Sequence, residues 1–157
     1  MTTIERVTED HPDLVALATA MVEEMIGLYG GDVGTWKLVP ERGEWLVLRD
    51  DDGTAVACAG LIPLDVAVPG SSAHLGELKR VFVLPAARGR GLSRVIVDAA
   101  VALAPSLGYS ELWLETGDLQ PVAVGLYDRM GWRRIPPYGP YADVHSICFS
   151  LALEDAT

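Results

Sequence analysis

Residues 84–98 read LPAARGRGLSRVIVD: a proline turn, two glycines alternating with arginines, then an apolar run at helical spacing. Just upstream, residues 77–85 (ELKRVFVLP) are rich in strand-forming types, and Pro85 ends the run because it has no N–H to give a ladder. The pattern predicts a strand from about Leu75 to Leu84, a turn, and a helix with Leu92, Val95, Ile96, Ala99 and Leu103 on one stripe. A strand-to-helix junction of this kind suits an anion. The first turn of a helix has unpaired N–H groups and a partial positive charge, and Gly89 and Gly91 remove side chains that would hold a phosphate away. Consecutive amides in such a turn form a concave nest, with Arg88, Arg90 and Arg94 placed at its rim. By itself the alternation also fits a solvated turn whose arginines balance acids elsewhere.

The charge around this stretch runs against the rest of the chain. Lys79 through Arg94 hold five basic residues and no acid, whereas the 157 residues as a whole carry 22 acidic against 12 basic side chains, a formal net charge of -10. That balance disfavours non-specific attraction to nucleic acid or to an anionic membrane surface, so neither is expected as a partner. Uncharged stretches such as residues 53–64 fall well short of the roughly 20 apolar residues of a membrane-spanning helix. The N-terminal MTTIERVTEDH lacks the basic start and apolar core of a signal peptide, which makes a cytoplasmic location the expectation. Cys58 and Cys148 lie in apolar, strand-like runs with no second cysteine or histidine at ligand spacing, so neither a disulfide nor a metal site is expected.

Outward from the junction, residues 3–7 read as a short strand. EDHPD then starts a helix, with Asp10 as candidate N-cap, Pro12 in the first turn, and Leu14, Leu17, Ala18, Met21 and Met25 on one face. GLYGGDVG closes that helix in a glycine-rich loop. Residues 44–64 give two apolar strands around an Asp-Gly turn, a hairpin signal, and VAVPGSSAHL connects them to the strand before the junction. Further on, ELWLET is a buried strand, PVAVGLYDRM a helix that Gly131 terminates, and WRRI and HSICFSLAL the last two strands; Pro105 ends or kinks the preceding helix. The expectation is one domain over residues 1–157, of the α/β class with α+β character: a twisted mixed sheet of six or seven strands, about four helices and one parallel crossover.

Two familiar phosphate motifs fail on spelling. A P-loop needs four residues between its glycines and then Gly-Lys-Ser/Thr, and GRGLSR lacks the third glycine of a Rossmann turn. The stretch instead resembles the acyl-CoA pyrophosphate loop of the GNAT superfamily of N-acetyltransferases, Gln/Arg-x-x-Gly-x-Gly/Ala, with Arg88, Gly91 and Ser93 in those places. Ser93 is the departure, and it is small enough to leave room for a phosphate. The resemblance extends from ELKRVFVLP through LETGDLQPVAVGLYDRMGWRRI, most of the C-terminal half.

That resemblance implies a GNAT fold, acetyl-CoA as cosubstrate, no metal, and direct transfer of an acetyl group to a primary amine of a small molecule or peptide. It implies that Arg88, Gly89, Arg90, Gly91, Leu92 and Ser93 bind the pyrophosphate. Main-chain groups around Phe82 and Val83 would meet the pantetheine arm and the thioester carbonyl, and Gln120 stands where the family commonly has an asparagine on that arm. Tyr127, in LYDRMGW, is implied as the general acid for the departing thiolate, although a tyrosine on an amphipathic helix also fits a core position. Glu77 lies eleven residues before Arg88, an offset at which some protein-acetylating members keep a glutamate base; Glu115 is the second candidate, and either also fits an edge carboxylate paired with Lys79 or Arg80. The acceptor cleft is implied at GLYGGD and PPYGPYAD, with Tyr29, Tyr138 and Tyr141 as candidate walls. The alternative is a non-catalytic acyl-CoA-binding or regulatory module, and an exposed strand edge leaves room for a homodimer.

Overall fold

The computed structural model describes residues 1–31, 38–65, 74–141 and 145–154; of the expected connecting loop VAVPGSSAHL, residues 66–73 lie outside them. Seven strands form a single sheet: β1 (Thr3–Val7), β2 (Glu44–Arg49), β3 (Ala55–Pro63), β4 (Leu75–Val83), β5 (Glu111–Gly117), β6 (Arg133–Ile135) and β7 (Ser146–Ala152). Their order across the sheet is β1-β2-β3-β4-β5-β7-β6, with β4 and β5 parallel and every other neighbouring pair antiparallel. Among the described residues there are three α-helices: α1 (Pro12–Tyr29), α2 (Leu92–Leu103) and α3 (Pro121–Arg129), with short 3-10 turns accounting for the rest of the helical backbone. The mixed α/β architecture is the one expected; the seven strands fall within the expected number, and the described residues hold three α-helices where about four helices were expected.

Alternation along the strands separates two apolar layers. Leu46, Leu48, Ala57, Ala59, Leu61, Leu78 and Val83 face α2 and α3, where Leu92, Ile96, Val97, Ala100 and Tyr127 close the larger core. Trp45, Val47, Cys58 and Phe82 face the other way, onto Leu14 and Leu17 of α1. The stripe on α2 is therefore rotated from the expected one: Val95 is 41% exposed, and Val97 and Ala100 are buried in its stead. Pro12 fixes the first helical position of α1, which puts His11 at the N-cap, its Nδ1 accepting from the Asp13 amide at 3.1 Å. Asp10, the expected cap, instead accepts the Thr8 hydroxyl at 2.6 Å.

The sheet is packed closely enough that one position tests the layer beneath α1. Trp45 is fully buried and its indole N–H donates to the Glu41 carbonyl at 2.8 Å, which pins the ring over Gly60. A Cβ on Gly60 would fall inside that ring. Gly60→Ala is expected to lower the melting temperature by roughly 5 °C, the order of an overpacked core in a domain of this size. A thermal melt superimposing on that of the parent would contradict this packing.

Candidate functional site

The parallel pair that should hold the middle of the sheet is short. β4 and β5 are in register only from Leu75↔Glu111 to Glu77↔Trp113, so the remainder of β4 and of β5 diverge into a V that opens toward the C-terminal ends of both strands. Ligands in open α/β sheets bind at such carboxyl ends. At the tip of β4 the chain turns through Pro85–Ala87 and reaches α2 over Gly89 (φ 82°) and Gly91 (φ 73°), the latter being the N-cap. Glycine is required there because a side chain at positive φ is strained.

The geometry of the turn leaves its amides without partners in the protein. Among the described residues the N–H groups of Gly89, Arg90, Gly91, Leu92, Ser93 and Arg94 have no acceptor, and the first bond of the helix runs from the Val95 amide to the Gly91 carbonyl at 3.3 Å. A Cβ built on Gly89 or Gly91 meets nothing within 4 Å. The result is a run of donors at the positive end of a twelve-residue helix, the geometry of a phosphate nest. The Leu92 side chain points the other way into the core, so its contribution to the nest is its amide. The Ser93 hydroxyl makes no capping bond.

The arginines around the nest are committed to acids and backbone. Arg88 Nε donates to the Val83 carbonyl at 3.0 Å, its Nη2 meets Glu24 of α1 at 2.7 Å, and its guanidinium lies 5.6 Å from the centre of the Phe82 ring. It braces the turn against β4 and α1. Arg90 makes a bidentate pair with Asp50, both bonds at 2.9 Å, and this holds the Asp50 carboxyl below the usual carboxylate range. Arg94 pairs with Asp98 one helical turn on, at 3.8 Å.

A second group of residues gathers where the V closes, on the face of the sheet that carries α1. Glu77 is buried and accepts the Tyr138 hydroxyl at 2.6 Å, with Lys79 Nζ at 3.7 Å. Tyr138 packs edge-on against Trp113 at 5.0 Å and against Tyr141 at 5.2 Å. Burial, reinforced by the Glu77 carboxylate, holds both phenols far above the ordinary tyrosine value. Lys79 also meets Glu41 at 3.1 Å, and Arg80 lies 3.8 Å from it; burial pushes the Glu41 carboxyl up, but its own backbone amide and Lys79 outweigh this and hold it low. Glu115 is two residues beyond Trp113 on β5, opposite Cys148 of β7.

The remaining expected residues stand at the open end and behind it. Gln120 is the N-cap of α3, its amide bonded to the Gly117 carbonyl at 3.1 Å, and its side-chain nitrogen would lie 3.3 Å from a Cβ on Gly117. Tyr29 ends α1 at the same turn, accepting the Leu119 amide at 3.0 Å and packing edge-on against His145 at 5.8 Å. Tyr29 is thus placed at the β5–α3 turn, and Tyr138 and Tyr141 are placed at Glu77. Asp32 of GLYGGD and Ala142 and Asp143 of PPYGPYAD lie outside the described residues. Tyr127 is 4% exposed, packed between Trp132 (5.7 Å) and Phe149 (5.6 Å), and burial holds its phenol well above its ordinary value. Cys58 and Cys148 are free thiols, both buried, and among the described residues no cluster of metal-ligating side chains occurs. No helix among them is long and apolar enough to cross a membrane.

Several contributors escaped the sequence reading. Trp113 shares a face with Glu115 by simple alternation, a signal ELWLET did carry. Glu24, Glu41 and Asp50 reach the site across 64, 38 and 40 residues of chain, with no local motif to announce them.

Residues 13–132 match the acetyltransferase (GNAT) family, and the chain belongs to it. It is 36% identical over 102 residues to an uncharacterized N-acetyltransferase of Schizosaccharomyces pombe, covering 65% of this chain and 59% of that protein. It is 38% identical over 89 residues to an IAA acetyltransferase of Azospirillum brasilense, covering 57% of this chain and 54% of the relative. The chain thus spans little more than half the length of these relatives. A solved structure from Klebsiella pneumoniae, described as an acyl-CoA N-acyltransferase, superimposes with a TM-score of 0.78 at 28% identity, covering 98% of this chain and 99% of that one.

Proposed function

We propose that this chain, as a single cytoplasmic domain, transfers an acetyl group from acetyl-CoA to a primary amine of a small molecule or peptide, by direct attack with both substrates bound. The observation that carries the reading is the row of acceptor-less amides at residues 89–94, set at the mouth of the β4–β5 V. Those amides would hold the pyrophosphate, and the V that would take the pantetheine arm runs from them toward Glu77. When bound, acetyl-CoA supplies the activated acetyl thioester. The chain's share would be to hold and polarise it: main-chain groups around Phe82 and Val83 would stabilise the negative charge that builds on the carbonyl oxygen as the amine attacks, and Gln120 would contact the arm. One such donor is worth about 3–4 kcal/mol in comparable acyl transfers. Arg88 and Arg90 hold the turn in shape through Val83, Glu24 and Asp50.

Proton handling falls to two groups. Tyr127 gives its proton to the departing thiolate, and burial keeps that phenol protonated over the working pH range. Glu77 takes one proton from the incoming ammonium, which at neutral pH is almost wholly charged, and the second nitrogen proton, lost as the amide forms, leaves through water, from which Tyr127 is reprotonated; Glu115 is the second candidate base. Trp113, Tyr138 and Tyr141 wall the acceptor beside Glu77.

The test is to incubate the protein with acetyl-CoA and a panel of polyamines, amino acids, aminoglycosides and N-terminal peptides, and to record free CoA thiol. Acceptor-dependent release is expected with at least one class. Tight acetyl-CoA binding with no release across the panel would favour a non-catalytic acyl-CoA-binding module. On the best acceptor, Glu77→Gln is expected to cut kcat roughly 100-fold at neutral pH with unchanged acetyl-CoA affinity. The deficit should shrink as the pH approaches the amine's own pKa, because solvent then supplies the free base. A pH-independent deficit would remove Glu77 from the proton path.

A further inference from the structure

The V depends on a local irregularity in β4. Between β3 and β4, Cys58 pairs with Phe82 and Gly60 with Lys79, so two steps on β3 oppose three on β4. The extra residue bulges at Arg80, which takes φ 53°, the positive φ found at a non-glycine residue among the described residues. A bulge bends its strand and leaves ladder groups without strand partners. It starts three residues past the last β4–β5 pair, so the bend and the loss of pairing coincide. Arg80 has no glycine's freedom at this φ, so something must hold it there.

The Cys58 side chain supplies the hold. It lies one strand away, fully buried among Trp45, Val47, Phe82, Leu14 and Leu17, and its Sγ donates to the Arg80 carbonyl at 3.3 Å. We propose that Cys58 is a positioning residue whose thiol pins the Arg80 bulge, setting the opening of the V and the placement of the Phe82–Val83 main chain. The donor is permanent: burial pushes the Cys58 thiol up to about 12, so it keeps its proton at any working pH. From the other side, the Glu41 carboxylate holds the Arg80 guanidinium at 3.8 Å. The consequence for catalysis rests on the acetyl-CoA reading above; the consequence for the backbone does not.

Two substitutions separate the donor from the packing. Cys58→Val keeps an apolar side chain, larger by one methyl group, and loses the donor; Cys58→Ser keeps a donor and loses the apolar sulfur. The valine variant is expected to melt within a few degrees of the parent yet raise KM for acetyl-CoA about tenfold, the scale of one buried hydrogen bond, with displaced amide shifts at Arg80–Phe82. The serine variant is expected to melt lower yet keep KM within about threefold and retain the parent's shifts at Arg80–Phe82. Kinetics and shifts of Cys58→Val that match the parent would overturn the proposal, as would a serine variant impaired as deeply as the valine one. A parent protein that binds no acetyl-CoA would instead contradict the proposed function, and the shifts at Arg80–Phe82 would still decide the role of Cys58.

Discussion

Replacing Gly91 by valine is expected to weaken acetyl-CoA binding at least tenfold, and toward a hundredfold, while the protein remains folded. Two effects add. A β-branched residue at φ 73° is strained by roughly 1–2 kcal/mol and tends to pull the N-cap out of its left-handed conformation, scattering the amides of residues 89–94. A Cβ at Gly91 meets nothing within 4 Å of protein, so the new side chain stands in open space beside the amides rather than against the fold. Losing one or two charge-assisted bonds to a phosphate, at about 1.5–3 kcal/mol each, accounts for the loss of affinity. Gly108→Val is the matched control: φ there is 90°, and the residue caps the turn after α2, at the far end of that helix from the nest. Calorimetric titration should find the control's affinity unaltered. Unaltered affinity in the Gly91 variant would remove the pyrophosphate from this turn.

Tyr127→Phe is expected to lower kcat about 100-fold with little change in KM for either substrate. Desolvation is what raises the Tyr127 phenol, and its hydroxyl makes no hydrogen bond among the described residues, so deleting it should leave the melting temperature nearly unchanged. Activity and stability are thereby uncoupled, which a purely structural tyrosine would not allow. The sign of the pKa shift gives a second reading. A phenol raised by burial stays protonated beyond its ordinary value of about 10, so parent turnover should not fall between about pH 8 and 10 through loss of this acid. An unchanged kcat in the phenylalanine variant, or a falling limb at the ordinary phenol value that this variant abolishes, would contradict the assignment.

The parts of the fold written in neighbouring residues were legible. Pro85, Gly89 and Gly91 mark the strand end and the helix start within seven residues, and the alternation of β2 and β3 around Asp-Gly gave the hairpin. Errors arose where one residue's role depends on its neighbour's: with Pro12 fixed at the first helical position, the cap moved from Asp10 to His11, and Val95 lost its place to Val97 once α2 met the sheet. The bulge at Arg80 was illegible, because it exists only in the register between two strands. Of the site, the amide nest was readable as chemistry, whereas the roles of the arginines around it were not. Their carboxylate partners are distant in sequence, and Arg88 turned out to brace the strand as well as the turn. The Glu77–Tyr138 bond, 61 residues apart, joined two residues that the sequence had put forward separately.

In the proposed reaction, residues 77–141 hold a thioester and an amine together for direct transfer. The most direct measurement follows one reaction by mass spectrometry and thiol titration together, with the acceptor that gives the fastest release. The expected result is one N-acetylated amine for each CoA thiol freed, with the protein's own mass unchanged when acetyl-CoA is supplied without acceptor. Thiol release without acetylated amine, or an acetylated protein that passes its acetyl group to the acceptor, would contradict it.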